Sequence, residues 1–171
     1  MTNLLREKMR VDFNELGILL ALMASGRSPD IFTQVGGVSF DKNKRILAVC
    51  YNGFAPGQEV SQELLQDRDR KNALIFHSEQ NLLAQTKIGE VDTIFLTHSP
   101  CSNCSKLIAA NQVKNVIFLQ EYHREQGYKE ILDFYKINYK LVDYKCLIKC
   151  LSFLSGAGAQ IQDLAYKRFE S

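Results

Sequence analysis

Three side chains with an affinity for metal fall at the starts of two helix-like segments. His77-Ser78-Glu79 opens one, and Pro100-Cys101-Ser102-Asn103-Cys104 opens the next, with Cys101 lying 24 positions after the histidine. For the three to meet at one ion, both helix starts must lie at the same edge of a sheet. The apolar stretch Thr93 to Thr97 must then be a strand that carries the chain back between them. Cysteines three apart in a first helical turn share a face. The helix dipole there favours thiolate, the form that binds metal, and Pro100 stops the helix from extending backward. One imidazole and two thiolates leave the fourth tetrahedral position open for water. Glu79 is close enough to share the pocket without ligating, which is a layout for activating water and moving protons. Taken alone, Cys-x-x-Cys also suits a redox pair or two buried thiols.

The remaining pattern supplies such a sheet. Residues 12–25 read as a helix with Phe13, Leu16, Leu19, Leu20 and Met23 on its inner face, Asp12 as N-cap and Glu15 three residues later. Val35 to Phe40 and Arg45 to Tyr51 read as a hairpin around the polar turn Asp41-Lys42-Asn43-Lys44. The stretch 58–72 is polar with mixed charges, which predicts a solvated helix or excursion more than a binding patch. Helices are predicted over 73–87, with Ile75, Leu82 and Leu83 inward, and over 101–111 and 128–135. Strands are predicted over 93–97, 113–119 and 140–144. The order α-β-β-α-β-α-β-α-β implies a three-layer α/β/α sandwich around a mixed five-stranded sheet. Two further helices, at 146–154 and 160–169, form an extra C-terminal helical segment. The expected division is a 1–145 domain with 146–171 as its helical extension.

Composition excludes several classes. The 171 residues form one domain, able to bury about 70% of the unfolded chain's surface without disulfide staples. Lys and Arg number 21 against 19 Asp and Glu, a net charge of +2, too small to suggest an extended polyanion-binding face. No apolar run reaches the roughly 18 residues of a membrane span. The start lacks the apolar core of a secretory signal, so the expected location is the cytoplasm. Five cysteines, an odd number, fit reduced thiols. Cys50 is expected in the core, and Cys146 and Cys150 as small buried hydrophobes. His98 and His123 are expected in packing or loop roles, since a fourth protein ligand would close the site to water.

His-x-Glu followed by Pro-Cys-x-x-Cys is the signature of the zinc nucleobase deaminases. Over about residues 13–145 the chain resembles the cytidine and deoxycytidylate deaminase superfamily, and within it the deoxycytidylate (dCMP) deaminases. The segments that carry the finer resemblance are Arg27-Ser28-Pro29-Asp30, Thr33-Gln34-Val35-Gly36 and Tyr51-Asn52-Gly53. Asn81 and Cys104-Ser105-Lys106-Leu107-Ile108 add to it. Ser78 stands where the family usually has alanine. The loop proline, Pro56, comes one residue late. Gln58 replaces a cysteine that in many members joins an accessory metal site, so no second zinc is expected.

The resemblance implies one zinc per chain held by His77, Cys101 and Cys104, with Glu79 as the proton carrier. It implies hydrolysis of dCMP to dUMP and ammonia, supplying dUMP for dTMP synthesis. The implied substrate-binding residues are Asn52 for the deoxyribose 3′-hydroxyl, Arg27 for the phosphate, Ser78, Ser99 and Tyr122. Arg27 suits phosphate because guanidinium binds its oxygens bidentately, although it also reads as a surface arginine after a helix. Tyr122 reads equally as a phosphate or base contact and as a packed aromatic. A homo-oligomer, hexamer or dimer, with dCTP and dTTP as effectors and Mg2+ accompanying an effector nucleotide, is implied in the same way. Two other functions compete. A deaminase of tRNA adenosine or of another nucleobase would need a basic face. A non-catalytic zinc-stabilised nucleotide-binding protein would have no need of Glu79. Neither a nucleic-acid partner nor a membrane is expected.

Overall fold

The computed structural model describes residues 11–122 and 127–143; the proposed C-terminal helices, with Cys146 and Cys150, and His123 lie outside them. Helix α1 (Phe13–Ser25) leads into strands β1 (Gly36–Phe40) and β2 (Ile46–Tyr51). Two short helices follow, α2 (Gln62–Gln66) and α3 (Arg68–Leu74). Then come α4 (Ser78–Leu83), β3 (Thr93–His98), α5 (Ser102–Ala110), β4 (Asn115–Gln120), α6 (Tyr128–Phe134) and β5 (Asn138–Leu141). The sheet runs β2-β1-β3-β4-β5. Pairing is antiparallel on both sides of β1 and parallel from β3 onward. This is the expected mixed five-stranded sheet in three layers.

The central strand shows why. Along β3, Ile94 and Leu96 join a core with Leu82, Ile108 and Phe118, while Phe95 joins Ile18, Ala21, Val38 and Phe40 on the other side. A strand covered on both faces needs an unbroken apolar run, and Ile94-Phe95-Leu96 is one. Among the described helices α1 alone covers one face, capped as expected: Asp12 accepts from the backbone of Asn14 and Glu15, and the Glu15 carboxylate accepts from the Asp12 N–H.

Three expectations need correction. The inner face of α1 is Gly17, Ile18, Ala21 and Ala24, while Phe13 and Met23 are exposed. The helix lies too close to the sheet for large residues at the contact. A Cβ on Gly17 would meet the Phe95 ring at 2.4 Å, and one on Gly36 would meet the Ala21 carbonyl oxygen at 1.9 Å. The 73–87 helix is broken, because Phe76 is extended and exchanges both backbone bonds with Gly53 (3.0 and 2.9 Å), so helix resumes only at Ser78. Strand β5 begins before 140: Lys136, at φ 57°, turns the chain directly into the sheet, and Asn138 pairs opposite Asn115. Among the described residues no helix is long and apolar enough to cross a membrane.

Candidate metal centre and active site

His77 is the N-cap residue of α4 and Cys101 that of α5, with Cys104 in the first turn of α5. The extended Ile75-Phe76 segment, tied to Gly53, delivers His77 to this edge, and β3 delivers Pro100 and Cys101 to the same edge. The Nδ1 atom of His77 lies 3.6 Å from Cys101 Sγ and 3.4 Å from Cys104 Sγ, and the three donor atoms fall within 4.8 Å of one another. Tetrahedral zinc with bonds of roughly 2.3 Å to sulfur and 2.0 Å to nitrogen would set its S and N ligands about 3.5 Å apart. The donor set therefore fits zinc in type and spacing. The pair of thiols favours holding a single proton between them. The hydrogen bond from Cys104, with help from His77, brings Cys101 down to about 4. Donation to Cys101, burial and the nearby Glu79 charge push Cys104 up. A divalent cation resolves that conflict by binding both as thiolates.

Glu79 is 4% exposed. Burial pushes its carboxyl above the ordinary range, opposed by the His77 ring and by a 3.0 Å bond donated from the Ser78 hydroxyl. Among the described residues it is the one carboxylate in the cavity wall besides Asp30. The cavity has a volume of about 330 Å³, and His77, Ser78, Glu79 and Cys101 are among its lining residues. Asn52, Ser99 and Tyr122 also line it. The Asn52 amide knots the loop before β1: Oδ1 accepts from Val35 N at 2.8 Å, and Nδ2 donates to Thr33 O at 2.9 Å and Asp30 at 3.3 Å. Ser99 is buried and its hydroxyl accepts from Tyr122 N at 2.9 Å, fixing that tyrosine's backbone at the rim. Arg27 is exposed and does not line the cavity.

His98 is a wall residue, hydrogen-bonded to Thr97 Oγ1 at 3.1 Å and to Gln120 Nε2 at 2.6 Å, outside the ligand cluster. Cys50 is buried, as expected, and accepts from Gln85.

The wall contributed by the 58–72 segment and Ile75 does not show in the hydrophobic pattern. The 58–72 segment is not solvated throughout: Lys71 is 1% exposed and pairs with Asp30 at 2.5 Å, and Arg68, Lys71, Asn72 and Ile75 all line the cavity. Their spacing of i, i+3, i+4, i+7 is one helical face. That periodicity was the available signal, concealed because three of the four residues are polar.

An α/β sandwich with a three-ligand metal set, an open cavity and one buried carboxylate beside it defines a metal-assisted hydrolase. Residues 12–120 match the family model of the cytidine and deoxycytidylate deaminase zinc-binding region. A probable deoxycytidylate deaminase of Caenorhabditis elegans is 31% identical over 132 residues, covering 72% of this chain and 66% of that protein. The chain thus spans about two thirds of that relative. The dCMP deaminase of cyanophage S-TIM5 in apo form superposes with a TM-score of 0.65 at 26% identity, over 78% of this chain and 99% of its own. The same phage enzyme in complex with dCMP and dUMP gives 0.60 at 25% identity, over 83% and 99%. The chain belongs to the cytidine and deoxycytidylate deaminase family, and the zinc-binding character of that family agrees with the His77, Cys101 and Cys104 group.

Proposed function

We propose that the chain hydrolyses dCMP to dUMP and ammonia, supplying dUMP for dTMP synthesis. The observation that carries the reading is Glu79, a buried carboxylate in the cavity wall beside three zinc-type donors. In this reading His77, Cys101 and Cys104 hold the zinc. When bound, zinc supplies a water acidic enough to be a nucleophile near neutral pH.

Glu79 would take a proton from the attacking water and deliver it to N3 of the cytosine, which makes C4 electrophilic. The water oxygen would then bond to C4, and Glu79 would carry the proton left on that oxygen to the 4-amino group as the C4–N bond breaks, so that ammonia leaves as a neutral molecule. Burial raises the proton affinity of Glu79 and suits it to both accepting and returning a proton. The Ser78 hydroxyl holds the carboxylate in place at 3.0 Å. Asn52, in contact with the cavity and held on both sides by the 30–35 loop, faces the sugar. Ser99 and Tyr122 line the same cavity and would border the bound nucleotide.

Within the same reading the protein works in the cytoplasm as a homo-oligomer, hexamer or dimer. It responds to dCTP and dTTP, with Mg2+ accompanying the effector. These features rest on the family resemblance; light scattering tests the assembly, and rates of dCMP turnover with and without dCTP, dTTP and Mg2+ test the effector response. The central experiment is ammonia release across dCMP, deoxycytidine, cytidine and a tRNA anticodon stem-loop. Preferred turnover of dCMP is expected; preferred turnover of the stem-loop would replace the proposal.

A further inference from the structure

A phosphate on the substrate needs a cation at the end of the cavity away from the metal ligands. Among the described residues three cationic side chains come into question. Arg27 is exposed and lines neither this cavity nor the one beside it. Lys71 lines the cavity, but its ammonium is committed to Asp30 at 2.5 Å, with both side chains at 5% exposure or less. Arg68 remains. It lines the inner cavity and also an adjoining cavity of about 480 Å³ bordered by Phe32, Gln34 and Gln120. Thr33, Arg68, His98 and Tyr122 belong to both walls, so Arg68 stands where the two spaces meet.

Its surroundings suit a charge held ready for an anion. The guanidinium carbon lies 5.3 Å from the centre of the Phe32 ring, a cation–π contact that braces the side chain without neutralising it. Arg68 makes no ion pair with any described carboxylate. Its sequence neighbours Asp67 and Asp69 are exposed, and Asp67 is occupied in capping α3 through Arg70 N. With Lys71 and Asp30 paired, Arg68 is the one lysine or arginine among the described lining residues that pairs with no described carboxylate. A planar guanidinium can grip two oxygens of a phosphate monoester at once, which a nucleoside cannot reward.

We propose that Arg68, braced by Phe32, receives the 5′-phosphate of the substrate and sets the preference for nucleotide over nucleoside. The assignment rests on the dCMP reading above and deepens it. The test is calorimetric titration of the full-length, zinc-loaded protein with dUMP and with deoxyuridine, beside kcat/KM for dCMP. Arg68→Ala should lose on the order of tenfold or more in dUMP affinity and in kcat/KM for dCMP, with deoxyuridine affinity moving less than twofold. Arg68→Lys, which keeps the charge but not the fork, should fall between. Arg27→Ala should match the wild type throughout. Equal losses for dUMP and deoxyuridine, or no loss for dUMP, overturns the assignment. Should Arg68→Ala fail to fold, Arg68→Lys decides: dUMP affinity equal to wild type overturns it. If the wild type releases no ammonia from dCMP, the deamination reading falls; if it does and Arg68→Ala does so equally well, only the Arg68 assignment falls.

Discussion

Replacing Lys71 by methionine isolates the buried ion pair that joins α3 to the loop before β1. Methionine keeps most of the apolar stem and removes the ammonium, so cavity formation contributes little. What remains is Asp30, 4% exposed, without its cation. Breaking a buried pair by removing one partner costs about 3–5 kcal/mol, because a charge is left without compensation. Three donors stay on the carboxylate: Phe32 N at 2.9 Å, Thr33 N at 3.2 Å and Asn52 Nδ2 at 3.3 Å. They place the expected loss at the low end, about 3 kcal/mol. At this chain length that corresponds to roughly 6–12 °C in Tm. Urea and thermal unfolding of Lys71→Met, Asp30→Asn and the double variant measure it. Removing both charges leaves no unpaired ion, so the double variant should be more stable than Lys71→Met, with a coupling of at least about 1 kcal/mol. A Lys71→Met protein within 1 kcal/mol of wild type, or strictly additive losses, would refute the argument.

Glu79→Gln should keep about one zinc per chain by elemental analysis, since Glu79 is outside the ligand set, and lose roughly 10²–10⁴-fold in kcat; loss of the metal would put Glu79 among the ligands. Gly36→Ala should prevent stable folding, read as insolubility or lost cooperative unfolding, because its Cβ would lie 1.9 Å from a backbone oxygen that no rotamer change can move; a stable variant would mean that α1 can lift from the sheet. Asp41 is held below the ordinary carboxylate range chiefly by the Arg45 backbone N–H, with the Arg45 side chain and Asn43 N–H adding to it. A depressed carboxylate contributes stability above its unfolded pKa and loses it as pH falls through the lower folded value. Asp41→Asn should therefore be less stable than wild type at neutral pH, with the difference closing below about pH 3.8; a constant difference down to pH 2 would exclude the linkage.

The metal centre was legible because its residues occupy helix starts, where sequence punctuation is strongest. Pro100 before Cys101 marks one N-terminus, and one apolar strand between the two motifs leaves little choice of topology. The other start, at His77, is hidden inside a continuous 73–87 helical pattern and is set by the Phe76–Gly53 pairing. The face of α1 was misread for the opposite reason. Counting large apolar residues selects Phe13, Leu19 and Met23, but the contact with β1 and β3 is so close that Gly17 and Ala21 occupy it, and small residues leave no trace in a hydrophobic pattern. The strand β5 was displaced because the turn at Lys136 adopts positive φ without a glycine to announce it.

The wall formed by α3 was hidden by its function. A helix facing the core must be apolar on that face, whereas a helix facing a water-filled cavity that receives a charged ligand must be polar on both faces. Arg68, Lys71 and Asn72 meet the cavity, and Asp69 and Arg70 meet the solvent, so charge alone cannot tell inside from outside. The discriminating mark is pairing. Lys71 reaches across 41 positions to Asp30 and is fully covered, a cost the fold bears only if both members are needed where they lie. The pair ties α3 to the loop whose Phe32 and Thr33 amides also bond Asp30. A polar helix that brings one buried, paired cation and one uncommitted cation to the same wall has separated two tasks. Lys71 holds the wall closed, and Arg68 is left charged for the substrate.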